Sequence, residues 1–135
     1  MPIQQMLLGA GAAPKVVGQT VITATGSGTW TAPDGVTSVS VVCVGGGGGC
    51  SYRSAGGGGL GYKNNISVTP GQSYNLSVGD AGANGSGTGS GAGDPGGDTW
   101  FHTADNNSYA TGKGGAGNPS GTSGSGGGGA GGGYY

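Results

Sequence analysis

Two cysteines, one histidine and five aspartates are the residues of this 135-residue chain best suited to chemistry. Cys43 and Cys50 stand seven apart, and His102 is the single histidine. Two thiols and one imidazole leave the usual four-ligand zinc set incomplete. The cysteine pair has three open readings: a Cys43–Cys50 disulfide closing the glycines between them, which would restrict the unfolded chain; two free thiols; or metal ligands. Glutamate is absent, and the acids Asp34, Asp80, Asp94, Asp98 and Asp105 are scattered. So few general acids and bases point away from an enzyme, and no catalytic residue is assigned. Asp94 and Asp98, in DPGGD, suit turns as acceptors of backbone N–H and offer too few oxygens for calcium. A phosphate loop fares no better. The many G-x-G-x-x-G matches open no helix, and Gly112-Lys113 is followed by Gly114 where Ser or Thr would be needed. No cofactor and no metal is expected.

The elements around these residues are built from an extreme composition. Glycine supplies 39 of 135 residues, about four times its usual share. Charged residues are 7% and the net charge is -1, so there is no electrostatic reason to expect nucleic acid or an anionic membrane as partner. No stretch approaches the ~20 apolar residues of a membrane span, so no membrane insertion is expected. Ordering one backbone costs roughly 1–2 kcal/mol, and glycine is the most expensive residue to order. The glycines are therefore either left mobile, or their backbones approach closely and pair nearly every N–H and C=O. A core this small also favours oligomerisation.

Hydrophobic periodicity is that of strands throughout, with no 3.6-residue repeat. Residues 19–24 (QTVITA) and 29–31 (TWT) read as strands around a Gly26-Ser-Gly28 turn. After Pro33-Asp34-Gly35, the run 36–44 places Val39, Val41 and Cys43 on one face and Ser38, Ser40, Val42 and Val44 on the other. Both faces turn apolar near its end, which suits deeper burial there. The alternating runs 62–68 and 73–78 flank Thr69-Pro70-Gly71-Gln72, a type II turn signature, and read as a hairpin with Tyr62 and Tyr74 in its core. Residues 99–102 and 107–111 give two short strands. The fold class is all-β: a small antiparallel β-sandwich with glycine-rich loops. Its organisation is an N-terminal docking arm (1–18), a glycine-rich β domain (19–117) and a glycine-rich tail (118–135). The arm MPIQQMLLGAGAA lacks a basic start and a long apolar run, so it is expected to be retained. Ile3, Met6, Leu7 and Leu8 make it a short apolar plug and the candidate assembly contact. Tyr52-Arg53, between the glycine runs 45–49 and 56–59, and Tyr134-Tyr135 at the end are the candidate surface-binding residues, since Tyr among Gly, Ser and Asn is a binding-surface composition. The alternative reading has these rings merely cover glycine tracts.

Four pieces in order carry a resemblance: GSGTWTAPDGVTSVSVVCVGGGGG, GGGGLGYKNNISVTPGQSYNLSVGDAG, GGDTWF and ATGKGGAG. Together they resemble the glycine-rich domain of bacteriophage tail-fibre and appendage proteins over roughly residues 20–117. The resemblance implies a non-enzymatic virion structural protein, an appendage, fibre or decoration subunit. Its implied partners are other virion proteins and further copies of itself, and its place is the virion. It also implies glycine tracts packed as polyglycine II, the left-handed form with three residues per turn. The tracts 45–49, 56–61, 79–97 and 112–133 would meet at one end of the sandwich. Three rival readings are a host-surface adhesin at a tail tip, an ice-binding polyglycine II protein, and a disordered glycine-rich matrix protein.

Overall fold

The computed structural model describes residues 18–51, 54–86, 91–102 and 108–117, with Ser108 and Tyr109 as backbone only. Six strands form: β1 (Gly26–Thr31), β2 (Ser38–Val44), β3 (Leu60–Ser67), β4 (Ser73–Val78), β5 (Thr99–His102) and β6 (Ser108–Gly112). They make two antiparallel sheets, one ordered β1-β4-β5-β6 and one pairing β2 with β3. The fold is the expected all-β sandwich, and the described residues contain no helix.

Alternation along each strand turns apolar side chains into the space between the sheets. Tyr74 and Leu76 of β4, Phe101 of β5 and Ala110 of β6 face Cys43 of β2 and Ile66 of β3, with Ala32 and Val68 completing the core. Trp30, Tyr74 and Phe101 form an aromatic triangle with centroids 5.9–6.2 Å apart. The Tyr74 hydroxyl accepts the Thr69 amide at 2.8 Å, so the buried ring keeps its polar end satisfied.

Several local expectations are corrected. Residues 19–24 form no strand; they are exposed, and Val21 is 72% accessible. Branched residues favour a strand only where a partner offers a packed face, and β4 is met along its whole length by 26–31 instead. The supposed turn at Gly26-Ser-Gly28 is thus the start of β1, with Gly28 opposite Leu76 of β4. The Pro70-Gly71 turn does form, with Gly71 at φ +79° and the Gln72 amide donating to the Thr69 carbonyl at 3.1 Å. It joins no hairpin, however: β3 pairs with β2, and β4 lies in the other sheet. The turn is a corner between the layers.

Tyr62 is corrected as well. Asn65 adopts φ 57°, the left-handed region that Asn tolerates better than most residues, and the β2–β3 register shifts between Val39 and Val41. This bulge resets the alternation, as bulges do. Ile66 and Val68 point inward, Gly61 takes the next inward position, and Tyr62 is turned out. Val42 and Val44 are likewise exposed, not buried more deeply as their apolar character suggested.

Candidate functional site

Five of the six strands continue into glycine-rich legs at one end of the sandwich. β2 runs into 45–49, β4 into 79–85 and β6 into 113–117, while 56–59 leads into β3 and 91–97 into β5. The segment 79–97, read as one tract from sequence, is two legs.

The legs bond to one another with a period of three. Gly45 and Gly48 donate to Gly59 and Gly56; Gly46 and Gly49 donate to Gly97 and Asp94. Gly82 and Gly85 donate to Gly47 and Cys50, Gly56 and Gly59 to Ala116 and Lys113, and Asp94 and Gly97 to Ala83 and Asp80. Gly96 bonds Gly115, and Gly115 bonds Gly46. The donor–acceptor distances are 2.7–3.1 Å. Every bond crosses between legs, and the spacing matches a helix of three residues per turn without internal hydrogen bonds, which is polyglycine II. The leg 45–49 is the hub, bonded to each of the other four.

Close approach explains the glycine. A Cβ on Gly45 or Gly48 would overlap the carbonyl of Lys113 or Ala116, and one on Gly46 or Gly49 that of Asp80 or Ala83. Glycine content per turn therefore follows the number of neighbours. The hub is GGGGG. The leg 79–85, GDAGANG, needs glycine only every third residue, where Gly79 and Gly82 meet Gly97 and Asp94. The leg 112–117, GKGGAG, needs two in three, leaving Lys113 and Ala116 exposed.

Side chains fasten the bundle to the sandwich. The Thr99 hydroxyl donates to the Val44 carbonyl at 2.6 Å and accepts the Gly79 amide at 2.9 Å, tying three chains where strands become legs. Asp98 accepts from the Lys113 ammonium at 2.7 Å and from the Gly114 amide at 2.8 Å. These two hydrogen bonds, the lysine's first, hold its carboxyl below the usual carboxylate range. Asp98 is thus an acceptor of backbone N–H as expected, but between legs and not within a turn. Sequence reasoning missed Thr99, because its partners are 20 and 55 residues away.

Cys43 and Cys50 are free thiols. Seven residues at roughly 3.1–3.3 Å each separate them by about 20 Å, far beyond the ~7 Å limit for a disulfide. Cys43 is in the core, its thiol 3.6 Å from the Ala110 carbonyl, and burial pushes its pKa up to about 11. Cys50 is exposed at the distal end, where its amide donates to Asn84 Oδ1 at 3.1 Å. His102 stacks on Trp100 with centroids 3.9 Å apart. Among the described residues no three of His, Cys, Asp and Glu gather as a metal site. Ile3, Met6, Leu7, Leu8, Tyr52, Arg53, Tyr134 and Tyr135 lie outside the described residues.

One surface stands out. On the outer face of the β2–β3 ribbon, Val42 is paired with Tyr62 and Val44 with Leu60. Val42, Val44 and Leu60 are 64%, 57% and 52% exposed, and Tyr62 beside them is half exposed.

A family model described as glycine-rich domain matches residues 22–135, spanning the sandwich, the legs and the tail. The chain belongs to this glycine-rich domain family. No curated protein and no solved structure matches it. In this glycine-rich domain, the glycines are the architecture of the distal half.

Proposed function

We propose that this glycine-rich domain is a non-enzymatic structural subunit of a bacteriophage virion, part of an appendage, fibre or decoration layer. The phage assignment comes from the resemblance of four sequence pieces. The observation that carries the structural role is the open apolar face of Val42, Val44 and Leu60. A contiguous apolar patch on a small domain marks an interaction site, and its occupant in this reading is a further copy of the chain, with other virion proteins engaged by the arm at Ile3, Met6, Leu7 and Leu8. The stiff glycine bundle then holds its distal end, at Cys50 and Asn84, at a fixed reach from that assembled base.

The native mass in solution tests this. The wild-type chain is expected as an oligomer, and Val44→Lys with Leu60→Lys, both on the outer face, as a folded monomer with a lower melting midpoint, since association stabilises the fold by mass action. A wild-type chain that stays monomeric at every concentration would sink the reading. A second reading, a host-surface adhesin, is favoured by the meeting of Cys50 with Asn84 and Gly85 at the bundle's far end, which joins the ends of the legs 45–49 and 79–85. Labelled protein would then bind susceptible cells and not resistant ones.

A further inference from the structure

We propose that Asn84 is a self-modification site: its side chain closes on the Gly85 nitrogen as a succinimide, which water opens to aspartate or isoaspartate, and Cys50 holds it unreacted. Asn84-Gly85 is the single Asn-Gly step in the sequence. The side-chain carbonyl carbon of an asparagine is an electrophile, and the next backbone nitrogen reaches it through a five-membered ring. Glycine in the next position eases that approach, having no Cβ and a freer backbone. Asn64, Asn65 and Asn75 are followed instead by Asn65, Ile66 and Leu76, each with a side chain in the way. Packing fixes the reactive step in place. A Cβ on residue 85 would overlap the carbonyls of Gly91 and Ala92, so a bulkier, slower-reacting neighbour does not fit. Asn84 has its own task, since its Oδ1 accepts the Cys50 amide where the hub ends.

Cys50 holds both reacting groups. Its carbonyl accepts the N–H of Gly85, the attacking nitrogen, at 3.1 Å. Its amide donates at 3.1 Å to Asn84 Oδ1, the oxygen of the group under attack, and its thiol lies 3.5 Å from the same oxygen. Ring closure requires the Gly85 nitrogen to give its proton to a solvent base and the Asn84 side chain to swing onto it. Both backbone bonds of Cys50 must break first. The nitrogen then bonds to Cγ, and the side-chain amide leaves as ammonia. Water opens the ring at either carbonyl. Cleavage of the new N–Cγ bond gives aspartate with the chain path unchanged. Cleavage of the bond to the backbone carbonyl carbon gives isoaspartate, with the chain rerouted through Cγ. Either way one amide and one water become one carboxylic acid and one ammonia. Aspartate still offers Cys50 an oxygen. Isoaspartate adds a methylene to the backbone between Gly82 and Gly85, whose bonds to Gly47 and Cys50 rest on a three-residue spacing. That product unlatches the end of leg 79–85 from the hub. The site stands apart from the outer face of β2–β3, whatever binds there.

Peptide mass spectrometry of the full chain, incubated in mildly alkaline buffer with and without urea, tests it. In the unfolded chain Asn84 is expected to convert ahead of the other asparagines. In the folded chain it should convert at least ~10-fold more slowly, because only the opened leg end reacts. Gly82→Ala, whose Cβ would overlap the Asp94 carbonyl, pushes leg 79–85 off its neighbours and should bring the rate near that of the unfolded chain. If that variant unfolds altogether, the unsubstituted chain still decides: below the unfolding transition, conversion should rise with urea in step with amide exchange at Gly85. In the isolated isoaspartate form the Cys50 and Gly85 amides should exchange at open-chain rates while Gly45 and Gly46 stay protected. Equal rates in the folded and unfolded chains overturn the clamp. No preference for Asn84 in the unfolded chain overturns the site, and a protected Cys50 amide in the isoaspartate form overturns the unlatching.

Discussion

Gly57 and Gly58 are neighbours in one run, yet alanine should have opposite effects at the two. A Cβ at Gly57 meets nothing within 4 Å, and the leg there is exposed. Gly57→Ala only narrows the unfolded ensemble and should stabilise by about 0.4–1 kcal/mol. A Cβ at Gly58 overlaps the Gly45 carbonyl oxygen and stands 2.6 Å from its carbon. Carbon atoms pack at about 3.5–4.0 Å, so 56–59 must retreat from the hub by about 1 Å. That stretches the 2.9 Å bonds from Gly45 to Gly59 and from Gly48 to Gly56 past useful length. Two lost hydrogen bonds, at about 1 kcal/mol each and more where a group is left unpaired, amount to roughly 2–5 kcal/mol. Urea denaturation of the two variants beside wild type reads the contrast, with a gap of about 3 kcal/mol or more expected. Equal stability of the two would mean that the glycine runs are not packed, and the reasoning would fail.

Two further outcomes follow from the junction and the core. Thr99→Val removes the hydroxyl shared by Val44 and Gly79 and should cost about 2–3 kcal/mol, whereas Thr99→Ser, which keeps the oxygen, should cost less than half of that; denaturation midpoints check both. At pH 8 iodoacetamide should label Cys50 and spare Cys43, read by peptide mass spectrometry. Because the folded state raises the Cys43 pKa to about 11, its contribution to stability is complete below the ordinary thiol range and is lost as pH rises through that range towards 11. Cys43→Ala should flatten that alkaline loss.

Much of the fold was readable because strands announce themselves by alternation. Val39, Val41 and Cys43 faced inward as their spacing required, and Pro70-Gly71 turned as its chemistry required. What failed was partnership. Whether 62–68 pairs with 73–78 across a four-residue turn depends on the competing strand at 38–44, which local pattern does not contain. The position of Tyr62 depended on one left-handed residue, Asn65. In the bundle, the G-x-x-G-x-x-G spacing of 79–85 was a usable sign of three-fold packing, and the five consecutive glycines of 45–49 marked a chain enclosed by others. Thr99 and Asn84 left no such mark, since a lone hydroxyl or amide is meaningful only once distant chains have met.

The central claim is that the glycines form a rigid bundle and not a linker. Backbone ¹⁵N order parameters for Gly45, Gly46, Gly48 and Gly49 test it most directly. The hub is expected near 0.85, level with the residues of β4, as for rigid backbone. Values below about 0.6 across 45–49, with β4 still rigid, would contradict it.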